Sequence, residues 1–159
     1  MASNSHSVTT FEDNSPASPN RSAYFYAAVA VLSLFGLADA IYLTIGHITG
    51  ETVRCTVVAG CSEVLSSRYA VVAGTPLAMV GAAAYFSVFS LATLAAFGYR
   101  IAALLLKVLV ALMVAVSLWL TYLQAFVIRQ FCQYCLFSAG VTLTIAVLLL
   151  IAWRRVNSR

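Results

Sequence analysis

Four long apolar stretches, nearly free of charge, leave this chain only one solvent to fold in. The first runs from Tyr24 to about Gly46 and is interrupted only by Asp39. The others lie between Arg68 and Arg100, between Lys107 and Arg129, and between Arg129 and Arg154. A helix rises roughly 1.5 Å per residue, so about 20 apolar residues cross a hydrocarbon core. The composition agrees: 62% of the 159 residues are hydrophobic and 9% are charged. A soluble domain carries about 25% charged residues, so this chain cannot cover a globule with a wetted surface. A soluble enzyme and a disordered chain are excluded. So is a nucleic-acid binder, because the net charge of +4 rests on only 9 basic residues. The expected fold is an all-α integral membrane protein, a single bundle of four transmembrane helices near 24–46, 76–97, 102–127 and 133–153. Thr75 is a natural N-cap for the second, with Pro76 at its first helical position, where a missing N–H costs nothing.

Residues 1–22 are polar and hold six serines. They have nothing to bury and are expected to form a disordered tail. The membrane domain then covers 23–156, with 157–159 as a short tail. Ala38-Asp39-Ala40 has the look of a signal-peptidase site, but Ile41-Tyr42-Leu43-Thr44-Ile45 continues the apolar run unchanged, so the helix is expected to stay. An even number of spans puts both termini on one side. That side holds Arg21, Arg100, Lys107, Arg154, Arg155 and Arg159, against Arg54, Arg68 and Arg129 on the other. The positive-inside bias makes the termini cytoplasmic and turns the long first loop, roughly 47–74, outward.

All four cysteines then fall on the outer face, in an oxidising compartment, and none lies mid-helix. Cys132-Gln133-Tyr134-Cys135 is a C-x-x-C at a helix N-terminus. Residues i and i+3 share a face, and the unpaired N–H groups of a first turn stabilise a thiolate. Cys55 and Cys61 flank Gly60 in a loop long enough to swing across the bundle top. A mobile pair of this kind can pass electrons to a fixed pair by thiol–disulfide exchange. Two other readings stand beside this relay. The spacing is poor for zinc, with His47 the one nearby histidine. Two static disulfides are common in exposed segments, although a four-residue crosslink at a helix start closes almost no loop.

Asp39, Tyr85, Gln124 and Ser138 all fall within about 10–15 Å of the outer surface by helical rise. They can converge beneath the C-x-x-C as a polar rim around a lipid-soluble redox cofactor, binding its oxygens and handling its protons. The alternative is interhelical hydrogen bonding, which Gln, Ser and Tyr often supply. Asp39 leans toward function, because a carboxyl group in a span usually faces a cavity or a partner. In the first loop, Leu65, Tyr69 and Val72 fall at i, i+4 and i+7, the pattern of a short amphipathic helix lying on the bundle.

At these residues the chain resembles the vitamin K epoxide reductase family. The matching pieces are Gly36-Leu37-Ala38-Asp39-Ala40-Ile41-Tyr42-Leu43-Thr44, then Cys55 and Cys61. Cys61-Ser62-Glu63-Val64-Leu65-Ser66-Ser67-Arg68-Tyr69-Ala70, Gly74-Thr75-Pro76 and Phe131-Cys132-Gln133-Tyr134-Cys135 follow. The resemblance implies a four-helix bundle around a quinone of the menaquinone, ubiquinone or vitamin K type. It makes Cys132 and Cys135 the active-site pair, with Cys135 nearer the quinone. Cys55 and Cys61 become the shuttle pair, Cys61 meeting the redox partner and Cys55 attacking Cys132. Ser67 matches a loop serine near the pocket. Bacterial members oxidise a thioredoxin-like (DsbA-like) protein that makes disulfides in exported proteins, often fused at the C-terminus. This chain ends at Arg159, so a separate partner is expected, with the chain in a bacterial inner membrane.

Vertebrate members have a tyrosine one turn after the C-x-x-C, where this chain reads Phe137-Ser138-Ala139. That departure favours a quinone-linked thiol oxidase over the alternative, reduction of a vitamin K epoxide. The DsbB-like oxidases also have four helices and four cysteines, but there the C-x-x-C comes first. A non-enzymatic tetraspan scaffold is the remaining rival, and it requires cysteines that are permanently oxidised.

Overall fold

The computed structural model describes residues 21–50, 64, 70–72 and 74–157. Four helices dominate: α1 (Arg21–Thr49), α2 (Leu77–Ala96), α3 (Arg100–Tyr122) and α4 (Gln133–Asn157). All four are long and apolar enough to cross a membrane. The three prolines of the chain stand outside them, so no helix loses an interior hydrogen bond to a ring. α1 opens at Arg21 and α4 runs to Asn157, each slightly into a segment expected as tail.

The start of α2 differs from the sequence expectation. Val71–Val72 (β1) pairs antiparallel with Thr75–Pro76 (β2), Val71 opposite Pro76 and Val72 opposite Thr75. That pairing holds Thr75 and Pro76 extended, so the helix begins at Leu77. Pro76 is the N-cap, at φ −57° and ψ 130°, and no side chain caps the helix. Gly74 turns the hairpin at φ 80°, which a Cβ would strain. Val72 therefore stands in a strand and not in the expected amphipathic helix. Leu65 and Tyr69, the other two residues of that pattern, lie outside the described residues, as do Cys55, Cys61 and Ser67.

α1 packs against α2 and α4, and α3 packs against the same two, which closes a four-membered ring. Only three residues link α2 to α3, with Gly98 at φ 94° making the reversal. Val29, Val88, Leu106 and Ile145 fill the centre. The outside is equally apolar: Phe35, Ile41, Phe86, Leu112, Leu118 and Leu150 are all exposed. In water this would be untenable; in lipid it is the ordinary condition of a span. Hydroxyls inside the spans bond back to their own helices, Ser33 to the Ala30 carbonyl at 2.7 Å and Thr44 to that of Ala40 at 2.7 Å. Lys107, at the end opposite the cysteines, rests its Nζ 5.8 Å from the Trp153 ring centre.

Candidate functional site

α3 does not end cleanly. Over Leu123–Ile128 it widens into a π-helical turn, and Arg129 then takes a left-handed conformation at φ 56°. A π-turn rotates side chains away from the face an α-helix would give them. Here it brings Gln124 inward, 3% exposed, and Gln124 Oε1 accepts a 2.9 Å hydrogen bond from the Cys132 N–H. That bond satisfies a backbone donor at the start of α4, where helices leave such groups unpaired. Gln124 thus holds the C-x-x-C to the end of α3.

Cys132 and Cys135 are both free thiols. Cys132 is 0% exposed and packs with Val64, Ile128 and Tyr134. Cys135, one turn on, is partly exposed. The Cys135 thiol donates a hydrogen bond to the Cys132 sulfur and draws the Cys132 thiol down from 9.0 to about 7. Burial opposes this, while the N–H groups of Cys135 and Tyr134 add to it. Cys132 is therefore the sulfur poised as a thiolate near neutrality.

Beneath the pair lies a cavity of about 480 Å³ walled by all four helices. Cys135 lines it and Cys132 does not. Four of the five residues expected to bind a cofactor, Asp39, Tyr85, Gln124 and Ser138, line this one cavity. Their hydrogen bonding separates them. The Tyr85 hydroxyl is bonded to the Ser138 carbonyl (2.9 Å), Ser138 Oγ (2.8 Å) and Thr142 Oγ1 (2.9 Å). It ties α2 to α4, which is the interhelical bonding weighed above for Tyr85 and Ser138. Asp39 differs: its Oδ2 is buried and has no hydrogen-bond partner among the described residues. The remaining wall is mostly aliphatic, with Leu43, Met113 and Leu120 among it, and His47, Ser117 and Thr121 add polar side chains. The cavity follows α3 from Leu109 to Gln124, a length of about 20 Å.

A family model, the vitamin K epoxide reductase family, matches residues 27–150, most of the chain and all four spans. The chain belongs to the vitamin K epoxide reductase family. It is accordingly a multi-pass membrane oxidoreductase with a quinone-linked redox function. The residues of this family member fit a quinone. The cavity is mostly apolar with few polar groups, as small-molecule sites are, and its volume lies within their usual range of about 300–1,000 Å³. Asp39 Oδ2, unpaired among the described residues, and the Cys135 thiol are two groups on this wall able to meet the oxygens of such a ligand.

Sequence reasoning did not single out Thr142, the third member of the hydroxyl cluster, or His47 as a cavity residue. Both carried a signal: Thr142 lies one turn beyond Ser138, and His47 lies two turns beyond Asp39, each on the same helix face. Val64 carried none, because its contact with Cys132 spans the fold.

Proposed function

We propose that the protein is a quinone-dependent thiol oxidase that takes electrons from a thioredoxin-like protein and so promotes disulfide formation. In this reading Cys61 exchanges with the partner, Cys55 attacks Cys132, and Cys135 delivers the electron pair into the cavity. A quinone bound there supplies the two-electron acceptor. The observation that carries the reading is the division within the C-x-x-C: Cys135 borders the apolar cavity, while Cys132 packs under Val64 of the first loop. Val64 follows Cys61 by three residues, a tether that spans at most about 11 Å. The low pKa of Cys132 makes it the better leaving group when a loop cysteine has bonded to it, and a reactive thiolate when reduced. The six-to-three split of basic residues supports cytoplasmic termini and outward cysteines; the membrane in this reading is a bacterial inner one.

One experiment tests relay and orientation together. Cells expressing the protein are mildly reduced and treated with a membrane-impermeant maleimide, and the purified protein is given a reduced thioredoxin-fold protein and a quinone. The loop cysteines Cys55 and Cys61 should label in intact cells, whereas Cys132, 0% exposed, is shielded. Cys55→Ala and Cys61→Ala should each stop oxidation of the protein dithiol and trap different mixed disulfides. Labelling only after the membrane is broken overturns the orientation. Full activity in both variants removes the loop pair from the relay.

A further inference from the structure

Because Cys135 lines the cavity and Cys132 does not, the reaction proposed above is one proton short inside the cavity. Closing the Cys132–Cys135 disulfide releases two electrons and two protons, and converting a quinone to a quinol takes up two of each. The Cys135 proton is set free within the cavity. Cys132 does not border the cavity and is poised as a thiolate near neutrality, so it brings no proton there. A second proton must therefore reach the cavity through another group.

The titratable side chains on the cavity wall are Asp39 and His47 of α1, Tyr85 of α2 and Cys135 of α4; α3 and its π-turn contribute none among the described residues. The Tyr85 hydroxyl is engaged by Ser138 and Thr142. Asp39 has a buried carboxyl oxygen with no hydrogen-bond partner among the described residues. Such an atom is costly to bury, and a group held in the cavity can satisfy it. Asp39 also acts electrostatically on both sulfurs of the C-x-x-C. His47 lies eight residues further along α1, in its last turn, exposed yet on the cavity wall. An imidazole takes a proton at one nitrogen and gives one from the other.

We propose that Asp39 donates the second proton to the quinone and that His47 restores it from the aqueous end of α1. This rests on the quinone-reductase reading above. The balance closes: two thiols lose two electrons and two protons, one proton enters from Cys135 and one from Asp39. The Cys132 proton leaves to water, and His47 returns one to Asp39. Asp39 is then a catalytic residue, and His47 a relay at the mouth.

The test uses the full-length protein, fully reduced, with menadione as the probe. Disulfide closure in a single turnover should slow about 10²-fold in Asp39→Asn, the scale of a lost general acid, and lose its fall at high pH while keeping the rise that Cys132 ionisation gives. Asp39→Glu should restore most of the rate, and His47→Gln should cost less than Asp39→Asn. A second readout needs no turnover. Menadione binding to the oxidised protein should shift a carboxyl stretching band in the infrared, and that shift should be absent from Asp39→Asn. Wild-type rate and pH profile in Asp39→Asn, or an infrared shift that survives the substitution, overturns the proposal. Failure of the wild type itself to oxidise with menadione counts instead against the quinone-reductase reading, while the infrared band still decides whether Asp39 meets the ligand.

Discussion

Replacing Cys135 by alanine is expected to abolish electron transfer to quinone, by at least about 10³-fold, the scale of removing a group that acts as one unit with its neighbour. Cys132→Ala is expected to be equally severe, but the two variants should fail differently. In Cys135→Ala, Cys132 keeps its contact with Val64 and remains able to form a mixed disulfide with the loop pair. In Cys132→Ala, Cys135 remains on the cavity wall with no partner to close on. The pH behaviour separates them further. The Cys135 hydrogen bond is the largest cause of the low Cys132 pKa of about 7, so thiolate at Cys132 should grow as pH rises through 7. Without the donor, that midpoint should move up toward the ordinary 9.0. The check is thiolate absorbance against pH in a Cys55→Ala, Cys61→Ala background, with and without Cys135→Ala. An unmoved midpoint would show that the Cys135 thiol does not hold the Cys132 thiolate.

Gly36→Ala is expected to destabilise the bundle by about 1–3 kcal/mol, the usual cost of overpacking a close contact. A Cβ at Gly36 would fall on the Tyr85 ring, 2.7 Å from its Cδ1 and closer still to neighbouring ring atoms. The ring cannot swing aside cheaply, since Tyr85 is 2% exposed and its hydroxyl is held by Ser138 and Thr142. Small residues at such points let helices approach closely, which in lipid stands in for the hydrophobic effect. Thermal unfolding in detergent measures the loss. Combining Gly36→Ala with Tyr85→Ala should give less than the sum of the two losses, because the second change removes the atoms the new methyl strikes. A neutral Gly36→Ala would mean that the α1–α2 contact has room to spare.

The four spans were legible because runs of apolar residues admit one explanation. The polar layer was legible from depth alone: helical rise placed Asp39, Tyr85, Gln124 and Ser138 at similar heights, and they share one cavity. Their separate duties were not legible. Nothing in Leu123-Gln124-Ala125-Phe126-Val127-Ile128 announces a π-turn, and without it Gln124 reads as one more polar rim residue and not as the acceptor for the Cys132 N–H. Thr75-Pro76 misled for a related reason. The cap motif was read from Thr75-Pro76 alone, whereas the hairpin pairing with Val71–Val72 just upstream keeps both residues extended. The distinction between Asp39 and its three companions likewise needed three dimensions. Only the fold shows that Tyr85 and Ser138 satisfy each other, that Gln124 bonds the Cys132 backbone, and that one Asp39 oxygen has no partner among the described residues.

In the proposed function, the C-x-x-C discharges its electrons into the cavity through Cys135. An anaerobic titration of the reduced protein with quinone tests it most directly, using a variant with Cys55 and Cys61 replaced by alanine so that only this pair can react. One quinone should be reduced for each Cys132–Cys135 disulfide formed, located by mass spectrometry, and Cys135→Ala should form no quinol. Quinol formed while both thiols remain free, or formed equally well without Cys135, would contradict it.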